Sequence, residues 1–222
     1  GPSAWSGKVM HEHRCGSVSK RVQSESLYGI PGVAFSMIGD RFAVRSHRVL
    51  SVFGNKGSSV FGGEPAELVC HLNSIGVRRI MQSLNPGIGF EVGDLMRVPL
   101  QTIDGATRIF NTLEDAFSRH AAGTEPSPEF RHPAPSPWRE AQGWAQLAVD
   151  REPHTPLASF EPDCDTPEQT DQVSFALGVA LGRFGLDANG EGTGILDPIT
   201  DDLSAALPAG ICFLDGTLDS AD

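Results

Sequence analysis

The chain is predicted to be a mixed α/β protein: an antiparallel β meander packed with helices, then a proline-rich linker and a small helical C-terminal part. Three observations predict it. From Leu27 to Phe61 apolar and polar residues alternate between glycine turns, as in half-buried strands. From Glu64 to Leu84 the apolar spacing lengthens to that of a helix. From Asp171 to Gly185 a second, strongly apolar stretch of helix length ends in glycine.

The totals set the bounds. A chain of 222 residues with 39% hydrophobic content can bury a sizeable core, and 25 Gly and 16 Pro add substantial loop. No apolar run reaches the roughly 18 residues of a membrane-spanning helix. Gly1-Pro2-Ser3 reads as the scar of a cleaved tag and is left out of fold reasoning. Cys15, Cys70, Cys164 and Cys212 form no CxxC pair and read as reduced thiols of a cytoplasmic protein. The net charge of −11 is unevenly spread. Residues 1–110 hold twelve Lys/Arg against eight Asp/Glu, net +4, and residues 111–222 five against twenty, net −15. The first half suits a polyanion, and the second a solvated or internally packed acidic region.

Residues 4–25 are polar and irregular. His11, His13 and Cys15 give an HxHxC cluster, but no second ligand pair follows at the spacing of a zinc finger, so an ordinary strand or loop is the better reading. Lys20 and Arg21 lie among Ser17, Ser19 and Ser24, a mixture that suits either phosphate contacts or an exposed loop.

The first strand is expected over Val33–Ile38, after Pro31-Gly32. Gly39-Asp40 turns it into Arg41–Arg45. Arg48–Phe53 follows, and Gly54-Asn55-Lys56-Gly57 is a tight turn. Alternation points Phe42 and Val44 inward and Arg41 and Arg45 outward. With His47, Arg48, Lys56 and the hydroxyls of Ser46, Ser58 and Ser59, that outward face can follow a phosphate backbone, or simply be solvated.

Glu64-Pro65 opens a single helix running to Leu84, with acid and proline in the first turn. Leu68, Leu72, Ile75, Arg79 and Leu84 form its stripe, made broadly apolar by Val69, Val77, Ile80 and Met81. Gly76 is expected at a close approach to a neighbour. Arg78 and Arg79 fall near its C-terminal end, where they complement the helix dipole; contact with DNA is the alternative. Asn85-Pro86-Gly87 stops the helix and launches an extended segment over Gly89–Asp94. The Asn-Pro pair invites comparison with the Asn-Pro-Pro-Tyr/Phe tetrapeptide of amino-methyltransferases. Gly87 and Ile88 replace its second proline and its aromatic, and without the aromatic nothing stacks a flipped base.

LNSIGVRRIMQSLNPGIGFEVGDLMRVPL (Leu72–Leu100) resembles the segment "LLNS…LNPT-x-NFQVGD-x-x-x-LPI" of large adenine-specific DNA methyltransferases of BREX-type phage-defence systems, the PglX group, with relatives in DISARM-type and fused restriction–modification systems. That segment ends the target-recognition region of those enzymes. Upstream, GIPGVAFSMIGDRFAVRSHR and FGNKGSSVFG resemble the same family's "G-x-TWS…S-x-KFS-x-R…G-x-S-x-F" block, with Ala34-Phe35-Ser36 where the family has Thr-Trp-Ser. Downstream, the stretch from Asp171 resembles "SYAVGCMFGRYSLD", and GILDPITDD resembles "NIIPITDDEWFEDD". The blocks fall in the family's order over about residues 27–100 and 170–202.

The resemblance implies a DNA-recognition module spanning residues 4–110. Its partners would be double-stranded DNA and the parent chain's catalytic domain. S-adenosylmethionine would serve the parent enzyme, with no cofactor in this fragment. Lys20, Arg21, Arg41, Arg45, His47, Arg48, Lys56, Arg78 and Arg79 are the expected DNA contacts. The alternative is a protein-interaction module that docks other defence-system components through its acidic half.

Residues 111–168 are expected to form a linker or wrapping segment with short helices over Asn111–Ala122 and Trp138–Val149, the second packing through Trp144 and Leu147. EPSPEFRHPAPSP between them carries five prolines. Residues 169–222 are expected to form a C-terminal part: a helix buried in the core and capped by Gly185, then an acidic tail with a last strand over Ile211–Leu214. Gly190–Gly194 (GEGTG) follows a helix rather than a strand and is expected as a loop rather than a cofactor cradle. No Walker A, HExxH or GxSxG motif is present, and residues 111–222 contain no Lys for a PD-(D/E)xK nuclease. No catalytic residue and no metal site is therefore expected.

Overall fold

The computed structural model of the chain describes residues 24–49, 53 and 57–196. The expected class holds: helices stand beside small antiparallel sheets. Two compact units divide the chain. The first comprises residues up to Thr107 together with Val149–His154, and the second Arg108–Ala148 and the chain from Thr155.

The first unit is built on a three-stranded sheet of β1 (Val33–Ser36), β2 (Val44–Ser46) and β3 (Gly57–Val60). The strand order is β2-β1-β3, both pairings antiparallel, so β1 is central and a sequential meander is not what forms. The third strand of this sheet lies on Gly57–Val60, and residues 50–52 of the strand expected over Arg48–Phe53 lie outside the described residues. GSSV has no apolar alternation. It is held by backbone pairing to β1, which hydropathy does not register. Phe42 and Val44 are buried as the alternation predicts, and Val33 and Phe35 are buried with them. Phe35, Phe42 and Phe90 form a chain of tilted rings with centroids 5.5 and 5.4 Å apart.

Helix α1 (Pro65–Leu72) packs on β1 and β2 through a buried face that includes Leu68, Val69 and Leu72. The expected single helix is two. It breaks at Asn73-Ser74, and α2 (Ile75–Leu84) begins anew. Two local bonds account for the restart: the Ser74 side chain accepts from Val77 N–H at 3.3 Å, and the Asp150 carboxylate accepts from Ile75 N–H at 2.8 Å. Gly76 then sits in the exposed first turn of α2, its nearest neighbour being the Ser74 hydroxyl, rather than at a close approach. After the Asn85 stop, Gly89 bridges Ile38 and Glu91 is extended. Val92–Leu95 is a short helix, α3, where a strand was expected.

The second unit holds most of α4 (Ala106–Gly123) and of α5 (Trp138–Val149), together with α6 (Gln169–Ala180) and the hairpin β4 (Phe184–Leu186) and β5 (Gly192–Ile195). Helix α4 is longer than its expected core of Asn111–Ala122. In α5 Trp144 packs on Phe160, but Leu147 is exposed rather than packed. The proline-rich stretch after α4 carries Phe130 into the core, where its ring meets Phe184 at 4.9 Å and Phe175 at 5.8 Å.

The expected GEGTG loop is largely strand β5. Its glycines let the strand press against neighbouring backbone: a β-carbon on Gly192 would lie 2.2 Å from the Arg131 carbonyl oxygen. Helix α6 ends five residues before Gly185. Gly182, at φ 74°, is the left-handed residue, with Arg183 N–H bonded to Gly178 O and Gly182 N–H to Val179 O, a Schellman ending. Gly178 is the buried residue of this helix, because Phe184 occupies the place of its missing side chain. The rest of α6 is more exposed than its hydropathy predicts. The tail strand expected at Ile211–Leu214 lies outside the described residues.

Candidate nucleic-acid interface

The outward face of the first sheet follows from register. Arg45 pairs with Ala34, and Ala34 with Ser59, so these three form one row across the sheet. Because successive side chains alternate, His47 and Ser36 share this face, opposite Val33, Phe35 and Val44. The structure therefore brings Arg45, His47 and Ser59 together as expected. Arg41 and Arg48 are exposed and flank β2 on either side in the chain. Lys20, Arg21, Lys56 and the HxHxC cluster lie outside the described residues.

His47 is committed within the fold. Its Nε2 lies 3.0 Å from the Ser59 hydroxyl and its Nδ1 3.4 Å from the Ile30 carbonyl oxygen. A neutral ring that donates from Nδ1 and accepts at Nε2 satisfies both. The ring also meets Phe61 edge-on at 5.6 Å, above Gly32, where a β-carbon would lie 2.8 Å from the Phe61 ring. Phe61 meets Phe53, which meets Tyr28, at 5.4 and 5.2 Å. An aromatic chain thus leads from His47 on the outward face through Phe61 and Phe53 to Tyr28. The aromatic cluster was missed from sequence because its members are spread over Tyr28, His47, Phe53 and Phe61 with no shared period.

Arg78 and Arg79 change meaning with the helix break. They are the fourth and fifth residues of the ten-residue α2 and lie in its first half, with no basic residue in its last turn. A cation there gains nothing from the helix dipole. Arg79 is exposed. Arg78 is half-buried, and its Nε has no hydrogen-bond partner.

Two titratable groups sit in the body of this unit. Burial, with the nearby Glu67 carboxylate adding to it, pushes the Cys70 thiol up to about 12, and its Sγ lies 3.6 Å from the Ala106 carbonyl oxygen. His71 is 4% exposed, and burial lowers its pKa; its Nε2 lies 3.0 Å from the Pro99 carbonyl oxygen, while Nδ1 has no partner. No group of three or more metal-ligating side chains is present among the described residues. Cys70 and Cys164 are both free thiols. No helix among the described residues is long and apolar enough to cross a membrane.

No protein-family model matches the chain, and no curated protein matches it.

Proposed function

We propose that this chain is the duplex-DNA recognition module of a BREX-type adenine-specific DNA methyltransferase. In this reading it positions a target adenine for a catalytic domain elsewhere on the parent chain, and that domain binds S-adenosylmethionine and performs the methyl transfer in anti-phage defence. The observation that carries it is the exposed cation group of the first unit: Arg45 on the outward sheet row beside Ser59, Arg41 and Arg48 flanking it in sequence, and Arg79 on α2 without a dipole role. The ordered resemblance of the sequence blocks gives this basic surface its assignment. Arginines and hydroxyls of this kind position a protein on phosphates, while base discrimination needs bidentate side chains in the grooves.

The test is an anisotropy titration of the full chain against duplex DNA at several salt concentrations. Binding should weaken steeply with salt, as counterion release requires. The triple substitution Arg41→Glu, Arg45→Glu, Arg48→Glu should abolish it. No binding even at low ionic strength overturns the reading.

A second reading, docking of a protein partner through the acidic half, rests on the net charge of −15 over residues 111–222. A pull-down from the host that is indifferent to the arginine substitutions and lost on neutralising acidic residues of the second unit would favour it.

A further inference from the structure

Helix α1 holds the segment leading into α4 through side chains of one face. Glu67, Cys70 and His71 are spaced at i, i+3 and i+4 and so share a side of the helix. Each meets a main-chain group of residues 99–106. The Glu67 carboxylate accepts from Ile103 N–H at 3.2 Å, Cys70 Sγ lies 3.6 Å from Ala106 O, and His71 Nε2 lies 3.0 Å from Pro99 O. Residues 99–105 are neither helix nor strand, and Pro99 to Thr102 are exposed. The segment thus rests on α1 by side-chain bonds at three points.

His71 is the weak point of this arrangement. A carbonyl oxygen only accepts, so Nε2 carries the proton and donates to Pro99 O. Nδ1 is left as an acceptor, buried and without a partner. A proton added there makes a buried cation with an N–H that nothing accepts, which is costly. The carboxylate acting on the ring, Glu67, is already engaged by Ile103 N–H. Asp104 on the segment pairs with Arg151, and Asp94 just before it pairs with Arg97. The Cys70 thiol, pushed up to about 12, stays neutral. A ring freed from the site regains an ordinary pKa near 6.5, whereas burial lowers it in place, so a fall in pH favours release.

We propose that residues 99–106 form an acid-sensitive latch on α1: protonation of His71 at Nδ1 releases the segment and uncovers Cys70. The inference stands apart from the DNA reading and from the arginines that support it.

The test uses the full chain with Cys15→Ser, Cys164→Ser and Cys212→Ser, so that Cys70 alone reports. Its reaction with a dithiodipyridine, which proceeds in acid, is timed at pH 7.5 and 5.5. Each rate is divided by that of the same chain unfolded in urea at the same pH. The normalised rate should rise several-fold on acidification, about tenfold at most for one proton. It should not change in His71→Gln, whose carboxamide can donate to Pro99 O but does not titrate. In the chain with His71 intact, exchange of the Ile103 amide, corrected for its intrinsic rate, should quicken over the same interval, while that of Met81, buried in α2, should not. A normalised rate that is flat between the two pH values overturns the proposal. So does an equal rise in His71→Gln, or an equal quickening at Met81, which would make the opening global.

Discussion

Asn73 grips Val44 by both of its backbone groups. Its carboxamide oxygen accepts from Val44 N–H at 3.1 Å, and its nitrogen donates to Val44 C=O at 2.9 Å and to Val69 C=O at 2.8 Å. Val44 lies opposite Phe35, and the next bonded position along is His47 N–H to Gly32 O, so Val44 turns its polar groups away from β1. One side chain closes the sheet edge and ends helix α1 at the same time.

Replacing Asn73 with Ala therefore leaves the Val44 groups without their partners. We expect a loss of about 1–3 kcal/mol, read as a lower urea midpoint at unchanged slope. Asn73→Asp keeps the acceptor but faces the Val44 carbonyl with a carboxylate, and should be destabilising as well. Stability within about 0.5 kcal/mol of the parent for both variants would remove the bridge as a contributor.

Gly178→Ala should destabilise by about 1–3 kcal/mol, against the gain that alanine ordinarily brings to a helix. A β-carbon there would lie 2.3 Å from the Phe184 ring. Gly76→Ala is the contrasting change: the site is open, and stability should be unchanged or up to about 1 kcal/mol higher. Thermal melts of the two variants should move in opposite directions.

His47 and Arg45 share a face but should fail differently. His47→Ala removes the ring that joins Ser59, Ile30 and Phe61, and should lower the melting temperature while leaving the salt slope of DNA binding in place. Arg45→Glu should leave folding intact and reduce DNA affinity, with a shallower salt slope by about one phosphate contact. A His47→Ala protein of normal stability and reduced salt slope would reverse these assignments.

His71 should make stability depend on pH below neutrality. Burial lowers its pKa in the folded chain, so between the unfolded value near 6.5 and the lower folded value the unfolded state binds more protons. Its stabilising contribution is complete above 6.5 and is lost as pH falls towards the folded pKa. The difference in unfolding free energy between pH 7.5 and 5.5, from urea titrations, should shrink in His71→Phe. An identical difference in the two proteins would show that other groups set the slope.

The sequence was legible where apolar period and environment agree. Phe42 and Val44 point inward and Arg45 outward because a half-buried strand demands alternation, and Trp138–Val149 is a helix with the expected bounds. It was opaque where a single polar side chain decides the structure. The stripe from Leu68 to Leu84 reads as continuous, because nothing in its period shows that Asn73 will bond to a strand 29 positions earlier or that Asp150 will cap Ile75 from 75 positions later. The same blindness misplaced Arg78 and Arg79, whose distance from a helix end depends on that break. Strand β3 and the β5 glycines were hidden because backbone contact, not side-chain burial, selects them. The aromatic cluster on the outward face was hidden by distance along the chain.

Asp150 caps α2, and its neighbour Arg151 donates to the Asp104 carbonyl oxygen at 2.7 Å, so the first unit draws its last pieces from the far side of an excursion of some forty residues. A ribosome delivers those pieces late. When residue 107 emerges, the Ile75 amide and the loop around Asp104 still await their partners, and they receive them only after residues 108–148 have been made. The first unit thus completes its hydrogen bonding in two stages, the later one once residues 149–154 have been made, and a polypeptide stopped at residue 110 lacks the Asp150 and Arg151 partners.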